Sequence, residues 1–384
     1  MPSPARLPLE LSRSAARLIW LRAQRLDEPS PFGHGPEATL AAIEHLGYLQ
    51  IDTINVIERC HHHILWTRIP SYRREDLHRA QTIDKSVFEY WTHALSYVPT
   101  RDMRFFLPDM KRHRQSPKSW FASVSKEDLR RVLALIRSEG VLSIRDIEDD
   151  VLVEKDHPWA SRKPSKRALQ LAFFAGALTV SERTGMLKSY DLMERHFGWE
   201  ARPKPASERQ VTDYLLDRAL RAQGVVSLDS ICHLDAKRKG AVRATLETRV
   251  RRGELVPVAV EAAQNVEHWA TPETLEPFLP RDPERPHILS PFDPLIIQRK
   301  RLNMFFDYEH RFEAYLPKEK RVMGYFALPV IVGGGVVAAI DLKADRVKRT
   351  LLIQQWTWIG KGARLHKVRI EEELQRFEQF QVKS

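Results

Sequence analysis

Apolar residues along this chain recur mostly at helical spacing and give way to strand-like alternation at a few defined places. Residues 126–137, KEDLRRVLALIR, carry one apolar stripe at i, i+3, i+4 spacing and predict an amphipathic helix. A Gly turn follows, then a short helix SIRDIED, a third helix PSKRALQLAFFAG, and the alternating segment ALTVSERTGMLKSYDL, which predicts a hairpin. The order is helix, helix, helix, hairpin. It begins again at residues 208–222, ERQVTDYLLDRALRA, where QGVVSLDSICH parallels EGVLSIRDIED and the basic helix AKRKGAVRATLETRVRRG leads into the strand ELVPVAVEA. These are two winged-helix units. Helical periodicity over about residues 11–25 and 36–46 allows a divergent third unit before them. From about Ser290 the pattern is β-rich: VMGYFALPVIV and VVAAIDLKA flank Gly333, Gly334 and Gly335 as a hairpin, TLLIQQWTWI follows, and a helix over about 364–380 closes the chain. The expected class is α+β, divided as residues 1–118, 119–204, 205–284 and 285–384.

The segment LQIDTINVIERCHHHILWTRIP, Leu49–Pro70, places two polar groups able to organise a water in one short extended element. In a strand, i and i+2 share a face, so Gln50 and Asp52 point together while Ile51 points away. Ile54, Ile57, Ile64 and Leu65 then recur at helical spacing, predicting a helix from Thr53 with its positive end beside the carboxylate. Two readings of Asp52 stand: a reactive carboxylate, or the N-cap of that helix, accepting from Ile54 or Asn55.

Composition narrows the partners. The 384 residues are 43% apolar, enough for several packed modules, and 61 Lys plus Arg against 50 Asp plus Glu give a net charge of +11. A pI near 9.6 suits a polyanion, with nucleic acid ahead of an anionic membrane surface. No apolar run of about 18 residues is present to span a bilayer and MPSPARLPLELSRSAARLIW lacks a secretion signal's apolar core, so a cytoplasmic location is expected. Cys60 and Cys232 are too few and too far apart for a disulfide framework or a cysteine zinc site. Basic residues gather where a winged helix meets DNA: Arg162, Lys163, Lys166 and Arg167 open one third helix, and Lys237, Arg238, Lys239 and Arg243 hold the matching place in the other. Each is equally readable as a solvated helix end. Lys111, Arg112, His113, Arg114, Arg299, Lys300 and Arg301 add clusters outside the repeats.

LQIDTINVIERCHHHILWTRIP, FEYWTHALSYVP, LSPFDPLIIQRKR and the DLKADR segment Asp341–Arg346 resemble the bacterial YcaQ-type interstrand-crosslink DNA glycosylases, a winged-helix group that includes antibiotic-resistance alkylpurine glycosylases. The resemblance covers most of the chain in consistent order. It implies three tandem winged-helix motifs, a C-terminal β-barrel-like domain, and a catalytic Gln-x-Gln or Gln-x-Asp motif, which falls here on Gln50, Ile51 and Asp52. The Gln-x-Asp version resembles the broad-specificity branch that unhooks crosslinks and removes N7-alkylguanines. No cofactor and no obligatory protein partner are implied, and the partner is double-stranded DNA bearing alkylated or crosslinked guanine.

The residues can support that chemistry. Guanine alkylated at N7 is cationic and leaves neutral without a general acid, so assistance belongs at the oxocarbenium-like sugar and the incoming water. Asp52 can stabilise the cation and take the water's proton, Gln50 can hold the water, and base assistance is typically worth about 10²- to 10⁴-fold. No lysine neighbours the pair in sequence, which favours a monofunctional enzyme over a Schiff-base lyase. Consecutive His61, His62 and His63 diverge by about 100° on a helix, so zinc is disfavoured, and a place in the core or near the lesion, beside Arg59, is expected. Phe88, Trp91 and Leu95 form a helical apolar stripe, making Trp91 core or base stack, while His93 is harder to place by packing. Asp293, framed by Pro291 and Pro294, sits in a turn that is either structural or at a cleft. The rival is a non-catalytic winged-helix DNA-binding transcriptional regulator, from which only Gln50 and Asp52 separate this chain. A nuclease would need metal-binding carboxylates that the sequence does not cluster.

Overall fold

The computed structural model describes residues 7–148, 152–155 and 161–382. They fall into two compact units, one joining the chain up to Arg74 with Thr212 onward, the other spanning Glu75–Val211.

In the first unit Ser12 caps the helix Arg13–Ala23, its side chain accepting from Ala15 N at 3.2 Å. That helix lays Trp20 edge-on against Phe305 of the helix Arg299–Phe306, with ring centroids 5.8 Å apart. Ile19, Val225, Val258, Leu289 and Ile331 complete the core around this contact. Strand Leu9–Leu11 pairs in parallel with Val256–Val260, which pairs antiparallel with His268–Ala270. The N-terminal segment is thereby tied to residues far along the chain.

Four strands form the C-terminal sheet as an antiparallel meander: His287–Ile288, Ala327–Val332, Gly335–Asp345 and Thr350–Trp358. The expected barrel-like closure is absent among the described residues. The first strand has two residues and pairs only with the second, too little to meet Thr350–Trp358. Helix Lys367–Val382 follows, near the predicted 364–380. Asp341 of the DLKADR segment is buried, its carboxylate accepting from Tyr325 N at 2.7 Å and Phe326 N at 3.0 Å. Gly324 lies against it at φ 112°, where a Cβ would collide with the Asp341 carboxylate.

In the second unit strands Val87–Trp91 and Leu95–Pro99 form a hairpin around Thr92, His93 and Ala94. Trp91 is therefore on a strand, not on a helical stripe, because Val87, Phe88, Glu89 and Tyr90 are all buried and hide the alternation that a one-sided strand would show. Helix Lys126–Glu139, strand Leu142–Ser143 and helix Pro164–Phe174 precede a second hairpin, Leu178–Thr184 and Leu187–Leu192, whose later strand lies between the other two. Residues 143–148 of the predicted SIRDIED helix are not helical, and residue 149 lies outside the described residues. Ser143 N and Oγ both donate to Asp146 Oδ2 at 2.7 Å, a local turn that competes with helix formation.

Candidate active site

Gln50 ends the two-residue strand Leu49–Gln50, and residues 51–59 continue without regular structure to the helix Cys60–Arg68. The helix expected from Thr53 does not form, because the loop's backbone groups are committed elsewhere. Ile54 N donates to Asp52 Oδ1 at 2.8 Å, a local Asx turn. Val56 O accepts from Ala344 N at 2.9 Å, and Arg346 donates to Asn55 O at 2.7 Å and Ile57 O at 3.3 Å. The loop is thus strapped to strand Gly335–Asp345 and the turn after it. Sequence reasoning singled out DLKADR without finding this use of Arg346, since nothing local announces a bond across nearly three hundred residues.

Asp52 caps no helix. It is half-buried, one oxygen is held by the Ile54 amide, and among the described residues Oδ2 takes no hydrogen bond, so it can accept a proton. Gln50 is buried, and its carbonyl accepts from Cys60 Sγ at 3.1 Å, which brings the start of the helix Cys60–Arg68 to the end of the strand. Burial, and then the Asp52 charge, push the Cys60 thiol well above its ordinary range, so it stays protonated and serves as a donor. Glu58 is buried, accepting from Arg59 N at 2.8 Å and paired with Arg74.

The three histidines separate as their helical spacing requires. His63 is buried, hydrogen-bonded to Ile288 O at 2.9 Å and stacked on Phe377 at 4.5 Å, and burial lowers it to about 4. It is a neutral core residue, not a DNA contact. His61 is buried with its ring 4.4 Å from that of His62. His62 keeps some surface, meets the Tyr72 hydroxyl at 2.7 Å, and is held near 3 by burial and the Arg74 and Arg59 cations. Among the described residues no group of three or more His, Cys, Asp or Glu is placed to hold a metal, and no helix is long and apolar enough to cross a membrane.

Three other expected contacts are structural. Asp293 is fully buried and bonded bidentately to Arg68, at 2.8 Å and 3.0 Å, so the turn holds an internal ion pair. Arg167 is buried and donates to Ser161 O, Ser123 Oγ and Glu154 O at 2.6, 2.6 and 2.9 Å, which leaves it no phosphate to reach. Arg299 is half-buried and braces Pro291 O at 3.1 Å, and burial lowers it to about 10. Lys166 and Lys237 are exposed, while Arg238 pairs with Asp235 at 2.8 Å. In the second unit Trp91 is 37% exposed and His93 half-exposed at the hairpin turn, so Trp91 does not join the core.

This architecture is shared with an enzyme that acts on DNA: the DNA glycosylase AlkZ of Streptomyces sahachiroi superposes with a TM-score of 0.64 over 97% of each chain at 17% identity. The family model for AlkZ-like DNA glycosylases matches residues 43–380, and the chain belongs to that family. It is a DNA glycosylase, which sets aside the non-catalytic regulator.

Proposed function

We propose that this glycosylase hydrolyses the N-glycosidic bond of N7-alkylguanine and unhooks interstrand crosslinks, with Asp52 as base and electrostatic stabiliser and Gln50 positioning the water. The observation that carries the reading is the Asp52 carboxylate itself, fixed by the Ile54 amide on one oxygen, open on the other, and not spent on capping a helix. A carboxylate held in this way can stabilise the sugar cation and accept a proton. No acid is needed, because an N7-alkylated base departs neutral. A crosslinked guanine stays tied to the opposite strand and cannot swing fully out, so an open cleft suits it better than an enclosed pocket.

The DNA-binding scaffold is read as three tandem winged-helix motifs. The order helix, short strand or bridge, two helices, hairpin occurs from Gly35–Leu46 to Leu95–Pro99 and from Glu208–Gln223 to His268–Ala270. The segment from Lys126–Glu139 to Leu187–Leu192 shares the first helix, the short strand, a helix Pro164–Phe174 and the hairpin, but shows only one helix between strand and hairpin among its described residues. Exposed Lys166 and Lys237, with Arg238, are the phosphate contacts of the later two, and Trp91, His93, Arg59 and His62 are the remaining candidates for DNA contact.

The dependence on the leaving group tests this chemistry. In matched duplexes at one salt concentration, single-turnover release of N7-methylguanine is expected to exceed that of uracil or 8-oxoguanine by at least about 10²-fold, the usual worth of the acid that is missing. Equal rates for uracil and N7-methylguanine would show that an acid acts in the site.

A further inference from the structure

A cleft of about 360 Å³ opens in the first unit beside the loop that follows Asp52, walled by Arg59, Arg74, Arg346 and Arg349 with the polar side chains of Asn55 and Thr350. Its two carboxylates are already engaged within the protein. Glu58 accepts from Arg59 N at 2.8 Å and pairs with Arg74, and Asp345 accepts from Val347 N at 3.1 Å and Lys348 N at 3.0 Å. Four guanidinium groups against two committed carboxylates leave the cleft cationic. Arg346 is held by Asn55 O and Ile57 O, and Arg74 lies over the Phe380 ring at 4.5 Å, so both cations are fixed in place. Arg59 differs. Its Nε is buried without a hydrogen-bond partner, and it stands at the N-cap of the helix Cys60–Arg68, which has no side-chain cap. A cation at the positive end of a helix, lining one cleft with three further arginines, is the chemistry of an anion site. Burial first, and then the Arg74 and Arg59 cations, depress the neighbouring His62.

We propose that this cleft binds a phosphodiester of the DNA backbone, anchoring the strand to the loop that carries Asp52. The assignment rests on the glycosylase reading above, since the phosphate is that of the enzyme's own substrate. Planar, forked guanidinium groups match phosphate oxygens bidentately, and the pocket is of the size that ligand sites occupy. The contact carries no sequence or lesion information.

The experiment is the salt dependence of binding to an undamaged duplex by wild type, Arg59→Gln, Arg349→Gln and Arg59→Lys. Each Gln variant is expected to bind more weakly and to reduce the slope of log K against log salt by about 0.9, while Arg59→Lys keeps most of the slope. Asp52→Asn, measured alongside, is expected to keep the full slope. An unchanged slope in both Gln variants overturns the proposal, as does loss of slope in Arg59→Lys equal to that in Arg59→Gln, which would mark a packing role. Free inorganic phosphate raising the melting temperature at micromolar concentration, with the DNA slope unchanged, also overturns it in favour of a small-anion site. Excision of N7-methylguanine by wild type is scored separately, so failure of the cleft is distinguishable from failure of the glycosylase reading.

Discussion

Asp52→Asn is expected to lose base excision by about 10²- to 10⁴-fold in single turnover while binding duplex DNA nearly as well as wild type. The amide keeps the side chain's shape and can still accept the Ile54 N–H, but it brings neither negative charge for the sugar cation nor basicity for the water. The structure sharpens this expectation, because the competing role as cap of a helix from Thr53 has no helix to serve. Gln50→Ala is expected to slow excision less, since water can partly replace a positioning amide. Near wild-type excision by Asp52→Asn would remove Asp52 from the reaction and leave only its turn-forming bond.

The second large effect is on stability. Arg68 and Asp293 are both fully buried, and the guanidinium also donates to Gln24 O at 3.0 Å and Ile64 O at 3.2 Å. Asp293→Ala leaves that guanidinium in the interior without its carboxylate and is expected to cost about 3–5 kcal/mol in denaturant unfolding. The double variant Arg68→Met with Asp293→Leu is expected to recover much of the loss, because replacing both charges removes the desolvation penalty together with the pair. A cost below about 1 kcal/mol for Asp293→Ala would show that the pair is relieved by solvent. Asp293 then becomes available again as a surface group.

What was legible in the sequence follows physical locality. The helices Arg13–Ala23 and Gly35–Leu46, the hairpin around Gly333 and Gly334, and the final helix were readable because cap, period and turn residues lie within a few positions of what they specify. Gln50 and Asp52 stand out as a candidate pair in the sequence because the motif is contiguous. The loop between Asp52 and Cys60 reads as helix in the sequence because its apolar residues keep helical spacing, while its hydrogen bonds go to Ala344 and Arg346, a choice made by tertiary structure. Buried charges failed for a related reason. Arg167 and Asp293 look like any solvated charge in sequence, and only their three-dimensional partners show them to be internal. The barrel failed because closure depends on strand length and pairing at the sheet edges, neither of which local alternation fixes.

The most direct measurement is incubation of the protein with a duplex containing a single N7-methylguanine, following free base and abasic sites together. Release of free N7-methylguanine matched by abasic sites, with strand cleavage only after alkali, is the result expected of a monofunctional glycosylase built on Asp52. Tight binding of that duplex with neither product formed, under conditions where the protein is folded and in excess, would contradict it.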